Sequence, residues 1–369
     1  MRIFILAIGT RGDVENFLIL GRELRRRGHR VLMGSSAFYA DSIRAAELDW
    51  VQIGGGTAGQ MEQVLQAMSA IEDSRKQTET FIRQWVAPQL TQSIATIRSY
   101  ALNADYFISN MKMAIRRKDH AVPGAFVTYD VPESLDDLTR HQTQRYGGRI
   151  IDLVSMNKRL IDAQNQWPST CQFTGFWSEP QPATWLAPQD LGDFLSAGPP
   201  PVVVTIGSMA SDGQSGLTDR IIDALNAADT RGIILGNLAG SKRGALPGDR
   251  VYFGGEIPYH WLFPRACAVV HHGGAGTAAA AISAGLPSVV LPQISAQQFL
   301  ARVLSEAGLA TAILQTRPLD VTRLAEAIHT AATDPKHQQI ARQWQAEIAT
   351  DRGVLLAADL IEAHAKQLA

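Results

Sequence analysis

Three features of the sequence predict an α/β protein made of two units, each built on a parallel sheet. Two short and nearly unbroken apolar runs, Ile3–Ile8 and Val202–Ile206, each lead directly into a glycine-containing turn. Runs of that kind fit strands covered on both faces, the setting of a parallel sheet. Between them, Pro180, Pro182, Pro188 and Pro199–Pro201 punctuate a stretch with little periodicity, which reads as a linker. The third feature is length: 369 residues exceed what one core usually serves, so two domains of about 150–200 residues are expected. The boundaries predicted are 1–170, a linker at 171–200, 201–350, and a last helix within 351–369.

The first unit opens as a βαβ motif. After the run Ile3–Ile8, the residues Val14, Phe17, Leu18, Gly21 and Leu24 recur at helical spacing, and Arg25-Arg26-Arg27-Gly28 supplies a cationic last turn with a stop glycine. Val31-Leu32-Met33 returns as a strand. Met61 to Tyr100 is helical and polar, with a break at Pro88; Phe126–Tyr129 is a strand, and Pro132–Tyr146 is loop-like. In the second unit a helix is predicted over Leu217–Ala228 and strands over Gly232–Leu235, Val251–Phe253 and Ala266–Val270. A helix at 277–284 and a strand at Ser288–Leu291 follow. The cleft between two such halves is the default ligand site.

Composition removes several functional classes. With 34 basic residues against 35 acidic, the chain lacks the positive field of a dedicated nucleic-acid binder. Cys171 and Cys267 read as separate reduced thiols. No apolar run reaches the roughly 18–20 residues of a membrane span, and Met1–Ile8 runs into Gly9-Thr10-Arg11 without a cleavage pattern. The expected location is therefore cytoplasmic. The basic run Arg22–Arg30 reads as a solvated helix end, or as peripheral contact with an anionic inner membrane face.

Two loops carry the chemistry. His271-His272-Gly273-Gly274-Ala275-Gly276-Thr277 joins a strand to an alanine-rich helix. Glycines let a backbone approach a ligand closely, and the helix start offers unpaired N–H groups and a positive dipole end to an anion such as phosphate. A tight strand-to-helix turn is the alternative, and it leaves two adjacent histidines unexplained. The segment is neither a Walker loop nor Gly-x-Gly-x-x-Gly, and no metal-binding motif occurs. The second loop is Gly9-Thr10-Arg11-Gly12-Asp13, where Asp13 suits a general base and Arg11 a phosphate contact. Asp13 suits a helix N-cap equally well, and capping would lower its pKa.

Gly9–Asp13, Gly207-Ser208-Met209, His260-Trp261-Leu262-Phe263-Pro264 and His271–Thr277 occur in order, with Thr174-Gly175-Phe176-Trp177 and Gly198-Pro199-Pro200-Pro201 between them. Together they resemble a family 1 glycosyltransferase of the GT-B fold, in the branch of sterol glucosyltransferases and antibiotic (glycopeptide, polyketide) glycosyltransferases. The likeness covers 1–55 and 168–312 and fades over 56–167, where this chain looks shortened in the acceptor-binding region. It implies two Rossmann-like domains whose parallel sheets face an interdomain cleft. The N-terminal domain would bind the acceptor and the C-terminal domain a nucleotide sugar, with the tail Val354–Leu368 crossing back onto the first domain.

The resemblance implies that Asp13 deprotonates the acceptor hydroxyl. It places the donor against Thr10, Arg11, Ser208, Ile257, His272, Gly274, Gly276, Thr277 and Gln297. The reaction implied is an inverting transfer from a UDP- or dTDP-sugar to a small hydrophobic or lipid acceptor, with no metal and no cofactor. Two positions depart from the pattern. Ala296 stands where the family has a sugar-contacting aspartate, and Asn16 where it often has proline. Losing that aspartate costs a hydroxylated sugar about 1.5–3 kcal/mol if nothing replaces it. The competing readings are a sugar-nucleotide epimerase on the same fold and a catalytically degenerate homologue acting as a partner. His120 and His141 read as acceptor-side bases or surface residues, Arg116-Arg117-Lys118 as a possible part of the basic patch, and Trp50, Trp85 and Trp167 as pocket walls or core.

Overall fold

The computed structural model describes residues 1–69, 71, 73–110, 122–128, 149–161, 171–178, 185–206, 216–236, 244, 250–316 and 318–368. Two compact units emerge, Met1–Ser178 with Asp351–Ala369, and Glu179–Thr350. The first holds a seven-stranded sheet: β1 (Arg2–Leu6), β2 (Arg30–Ser35), β3 (Asp49–Gln52), β4 (Tyr106–Ser109), β5 (Gly124–Thr128), β6 (Ile150–Val154) and β7 (Cys171–Phe173). Their order is β3-β2-β1-β4-β5-β6-β7, every pair parallel. The helix Arg11–Arg26 presses Val14, Phe17, Leu20 and Leu24 into the core with Ile3 and Ile5 of β1.

The last helix, Val354–Leu368, buries Ala357, Ala358 and Ile361 in that same core. Its polar face closes on the helix Arg11–Arg26 through Arg27, whose guanidinium meets Asp359 at 2.7 Å and Glu362 at 3.1 Å. His29 meets Glu362 at 2.8 Å, Arg26 and Arg27 both meet Glu23 at 2.7 Å, and Arg25 pairs with Glu47. In the basic run Arg22–Arg30, three arginines (Arg25, Arg26 and Arg27) and His29 thus face carboxylates within the unit. Among the described residues no helix is long and apolar enough to cross a membrane.

The second unit holds β8 (Val202–Thr205), β9 (Gly232–Leu235), β10 (Val251–Gly254), β11 (Ala268–His271), β12 (Ser288–Val290) and β13 (Ala310–Ile313). The order is β10-β9-β8-β11-β12-β13, again wholly parallel. Both sheets are doubly wound, and the order reverses beside their first strands, between β1 and β4 and between β8 and β11. Ligands of such sheets bind at the carboxyl ends of the strands at that reversal. Both sequence motifs leave strands there.

The stretch 171–200 is more than a linker. β7 extends the first sheet, and the helix Gln189–Ser196 buries Leu191 and Phe194 in a core of the second unit. The prolines misled because Pro188 is the N-cap of that helix and ends no structure. The break expected at Pro88 lies one turn earlier. A π-helical turn, Ile82–Val86, runs without interruption into the helix Ala87–Asn103, and this irregular turn lies where Pro88 can donate no N–H to the preceding turn.

Candidate active site

Asp13 owes its position to two neighbours, Gly9 and Thr10. β1 leads through fully buried Ala7 and Ile8 to Gly9, at φ +152°, and then to extended Thr10, which caps the helix Arg11–Arg26. The N-cap is therefore Thr10, and Asp13 answers it from the third helical position. Asp13 Oδ2 accepts the Thr10 N–H at 2.5 Å and the Thr10 hydroxyl at 2.8 Å. With the Asp13 backbone N–H donating in return to the Thr10 side chain, the pair forms a capping box. A Cβ at position 9 would stand 2.2 Å from Asp13 Oδ2, so glycine is what lets the half-buried carboxylate fold back over the turn.

Tyr39 donates its hydroxyl to the Gly9 carbonyl at 3.4 Å. Burial, and then the charge of Asp13, push its ionisation well above the ordinary tyrosine value, so it remains a hydroxyl. Arg11 is exposed and its Nε lies 2.5 Å from Glu15 Oε1. Of the two first-unit residues assigned to the donor, then, Arg11 is engaged by a neighbouring carboxylate and the Thr10 hydroxyl by Asp13.

β11 ends at His271, which is fully buried. Its Nδ1 accepts the Gly273 N–H at 3.0 Å and holds that residue at φ +86°. A Cβ on Gly273 would reach the Gln297 carbonyl oxygen at 3.0 Å, and one on Gly274 would reach His272 Nε2 at 2.5 Å. These glycines let the His272 imidazole lie over the start of the helix Ala275–Ser283, capped by Gly274. The first amides of that helix have no partner within it. Gly276 is exposed at this end, whereas Thr277 is buried.

Burial lowers the pKa of His272 to about 4, opposed by the carbonyl of Thr205. Burial, and then His272, lower that of His271 to about 3. Both rings are neutral at pH 7. His272 Nδ1 and His271 Nε2 are buried without a hydrogen-bond partner. The nitrogen that His272 presents over Gly274 is Nε2, and a ring nitrogen beside an open helix start suits an anionic oxygen.

The next loop is stitched to this one: the Leu291 N–H donates to the His271 carbonyl at 2.8 Å. Buried Gln297, expected to hold the donor sugar, accepts the Gln293 N–H on its Oε1 at 2.8 Å. Gln293 is a residue the sequence analysis missed. Both its amide oxygen and its amide nitrogen are buried without a partner. Its place, three residues past β12 and next to the anion loop, was the available signal. Ile257 is buried in the second unit's core beside a cavity of about 290 Å³ bordered by Trp185, Tyr252 and Glu256.

Ser208, His120, His141, Trp167 and Arg116–Lys118 lie outside the described residues. Trp85 is in the core at 1% exposure, and Trp50 is half-buried under the Arg44 guanidinium. Among the described residues no three His, Cys, Asp or Glu side chains gather as a metal site.

Residues 3–106 match the family model of the glycosyltransferase family 28 N-terminal domain, and residues 219–357 that of the erythromycin biosynthesis protein CIII-like C-terminal domain. The chain is 28% identical to O-mycaminosyltylonolide 6-deoxyallosyltransferase of Streptomyces fradiae, over 99% of this chain and 98% of that relative. The fold matches the glycosyltransferase of kitacinnamycin at a TM-score of 0.75, with 18% identity and 98% of both chains covered. The chain is a GT-B glycosyltransferase.

This glycosyltransferase is also 24% identical to the sterol 3-beta-glucosyltransferase UGT80A2 of Arabidopsis thaliana, over 89% of this chain and 60% of that longer relative. A further structural neighbour, VinC in complex with dTDP, superposes at a TM-score of 0.66 with 18% identity over the whole of both chains. In the glycosyltransferase's second unit, His272, Gly274, Gly276 and Gln297 gather at the carboxyl ends of β11 and β12. Asp13 and Thr10 occupy the corresponding end of β1 in the first unit.

Proposed function

We propose that the enzyme transfers a sugar from a UDP- or dTDP-sugar to a hydroxyl of a small hydrophobic or lipid acceptor, with inversion at the anomeric carbon. The acceptor oxygen attacks that carbon while Asp13 takes its proton. The bond from the anomeric carbon to the diphosphate oxygen breaks in the same step. Negative charge grows on the departing nucleotide, where the amides opening the helix Ala275–Ser283 and the His272 ring receive it. The observation that carries this reading is His272, a neutral imidazole whose Nε2 lies over a glycine-opened helix start. Thr10 serves here as the hydroxyl that orients Asp13, and Ile257 borders the cavity suited to the nucleobase.

Thermal unfolding with UDP, dTDP, GDP, ADP and NAD tests the donor. Stabilisation by UDP or dTDP alone is expected, about 2.7 kcal/mol at a hundred times the dissociation constant. His272→Ala is expected to weaken that nucleotide at least about tenfold, the loss of one charge-assisted hydrogen bond. No response to either nucleotide from a folded protein would overturn the assignment.

Gln293 compensates for Ala296. Its unpartnered amide can both donate to and accept from a sugar hydroxyl. Gln293→Ala is expected to lower kcat/KM for the intact donor about 3- to 10-fold while leaving affinity for the free nucleotide unchanged. Equal losses on both would remove Gln293 from sugar recognition.

A further inference from the structure

A second cavity, of about 340 Å³, lies in the first unit and is lined by none of the residues assigned to the candidate active site. Its wall is made largely of glutamine. Gln60 and Gln63 come from the helix Ala58–Ser69, Gln84 from the π-helical turn, and Gln89 and Gln92 from the helix Ala87–Asn103. Trp85 joins them, with the glycine turn that follows β3. No lining residue carries a charge.

The glutamines are oriented by backbone. Gln89 Oε1 accepts the Gly56 N–H at 3.1 Å, Gln92 Oε1 the Gly55 N–H at 3.1 Å, and Gln60 Oε1 the Thr57 N–H at 2.9 Å. With their oxygens fixed in this way, these carboxamides have their N–H groups to offer. Trp85 is 1% exposed, and its indole nitrogen is buried without a partner. A Cβ on Gly56 would stand 2.5 Å from the Trp85 ring and 2.6 Å from Gln89 Nε2, so the glycine preserves the space.

The cavity shares its sheet edge with Asp13. β3, β2 and β1 are consecutive, so two strand spacings, about 10 Å, separate the ends of β3 and β1. Aromatic side chains bridge that interval. Tyr39 touches the Gly9 carbonyl, its ring lies 4.3 Å from that of Phe38, and Phe38 lies 6.1 Å from Trp85.

We infer that this cavity recognises a neutral, multiply hydroxylated part of the acceptor, a pyranoside or polyol remote from the hydroxyl that Asp13 deprotonates. Carboxamide N–H groups suit hydroxyl and ether oxygens. An ionic group would enter a site with no charge to balance it, and a purely apolar group would leave the buried Trp85 indole N–H unsatisfied and would displace water from the glutamine carboxamides without replacing its hydrogen bonds. The inference rests on the transferase reading of Asp13 and refines the acceptor: apolar in its body, it carries a sugar-like substituent at one end.

The full chain is titrated with phenyl β-D-glucopyranoside and with phenyl sulfate, in the wild type and in Gln63→Leu/Gln92→Leu, whose two altered side chains are exposed. The glucoside is expected to bind the wild type, to bind the double variant at least tenfold more weakly, and to outcompete the sulfate. A glucoside affinity unmoved by the double substitution, or a sulfate that binds as tightly, overturns the subsite. UDP and dTDP are titrated alongside. If neither nucleotide binds, the transferase reading fails; if one binds and the glucoside does not, the subsite alone fails.

Discussion

Asp13→Asn is expected to bind UDP or dTDP with unchanged affinity and to transfer sugar at least about a hundredfold more slowly. Asparagine isolates the chemistry because its amide oxygen can still accept the Thr10 N–H and hydroxyl, so the capping box survives. The helix loses a stabilising charge from its first turn, worth only about 0.3–1 kcal/mol. What the variant cannot do is accept the acceptor's proton. Gly9→Ala is a test from a different direction. The added Cβ would fall 2.2 Å from Asp13 Oδ2, at a φ of +152°, so the carboxylate must move. It should reproduce the kcat loss with the nucleotide site intact, since Gly9 and the His272 loop belong to different units. Retained turnover in Asp13→Asn, read in single-turnover transfer assays, would remove Asp13 as the base.

Acid should unfold the second unit steeply. His271 and His272 are held to about 3 and about 4 in the fold, while an unfolded histidine titrates near its ordinary value of 6.5. Between about pH 6.5 and pH 4 the unfolded chain binds more protons than the folded one. Stability is therefore fully present above the unfolded value and falls with pH, by up to about 1.4 kcal/mol per pH unit for each ring. The cause is packing: His271 Nδ1 must stay unprotonated to accept the Gly273 N–H, and a charge at its Nε2 would have no partner. His271→Asn keeps an acceptor for that amide and removes the titration. Urea unfolding at pH 7, 6, 5 and 4 should show a shallower pH slope in the variant, reduced by about half if the two rings contribute equally. Identical slopes would mean that His271 is not the group responsible.

Much of this architecture was readable in one dimension. β1, β8 and β11 are apolar runs that water would penalise anywhere but between two covered faces. The glycines after β1 and β11 announce places where a Cβ cannot fit, as Gly9 and Gly274 show. Short or partly exposed strands were harder. β4 has only four residues, too few for periodicity to register, and β3 is an edge strand with no buried residue. The helix Gln189–Ser196 was hidden because prolines flank it on both sides.

The sequence by itself determined which residues leave the carboxyl ends of strands, because that depends on local chemistry: an apolar run, a glycine turn, a helix start. It therefore placed Asp13 in the first helical turn after β1 and His272 in the turn after β11, both at the carboxyl ends of their strands. Only tertiary structure decided what those residues touch. That Thr10, and not Asp13, caps the first helix depends on where a turn folds back by a few ångströms. That Arg27 meets Asp359 depends on a helix 332 residues away. The unpartnered amide of Gln293 and the glutamine-lined cavity have no sequence signature, because a polar side chain becomes a binding group only when packing excludes water from it and leaves it without a partner.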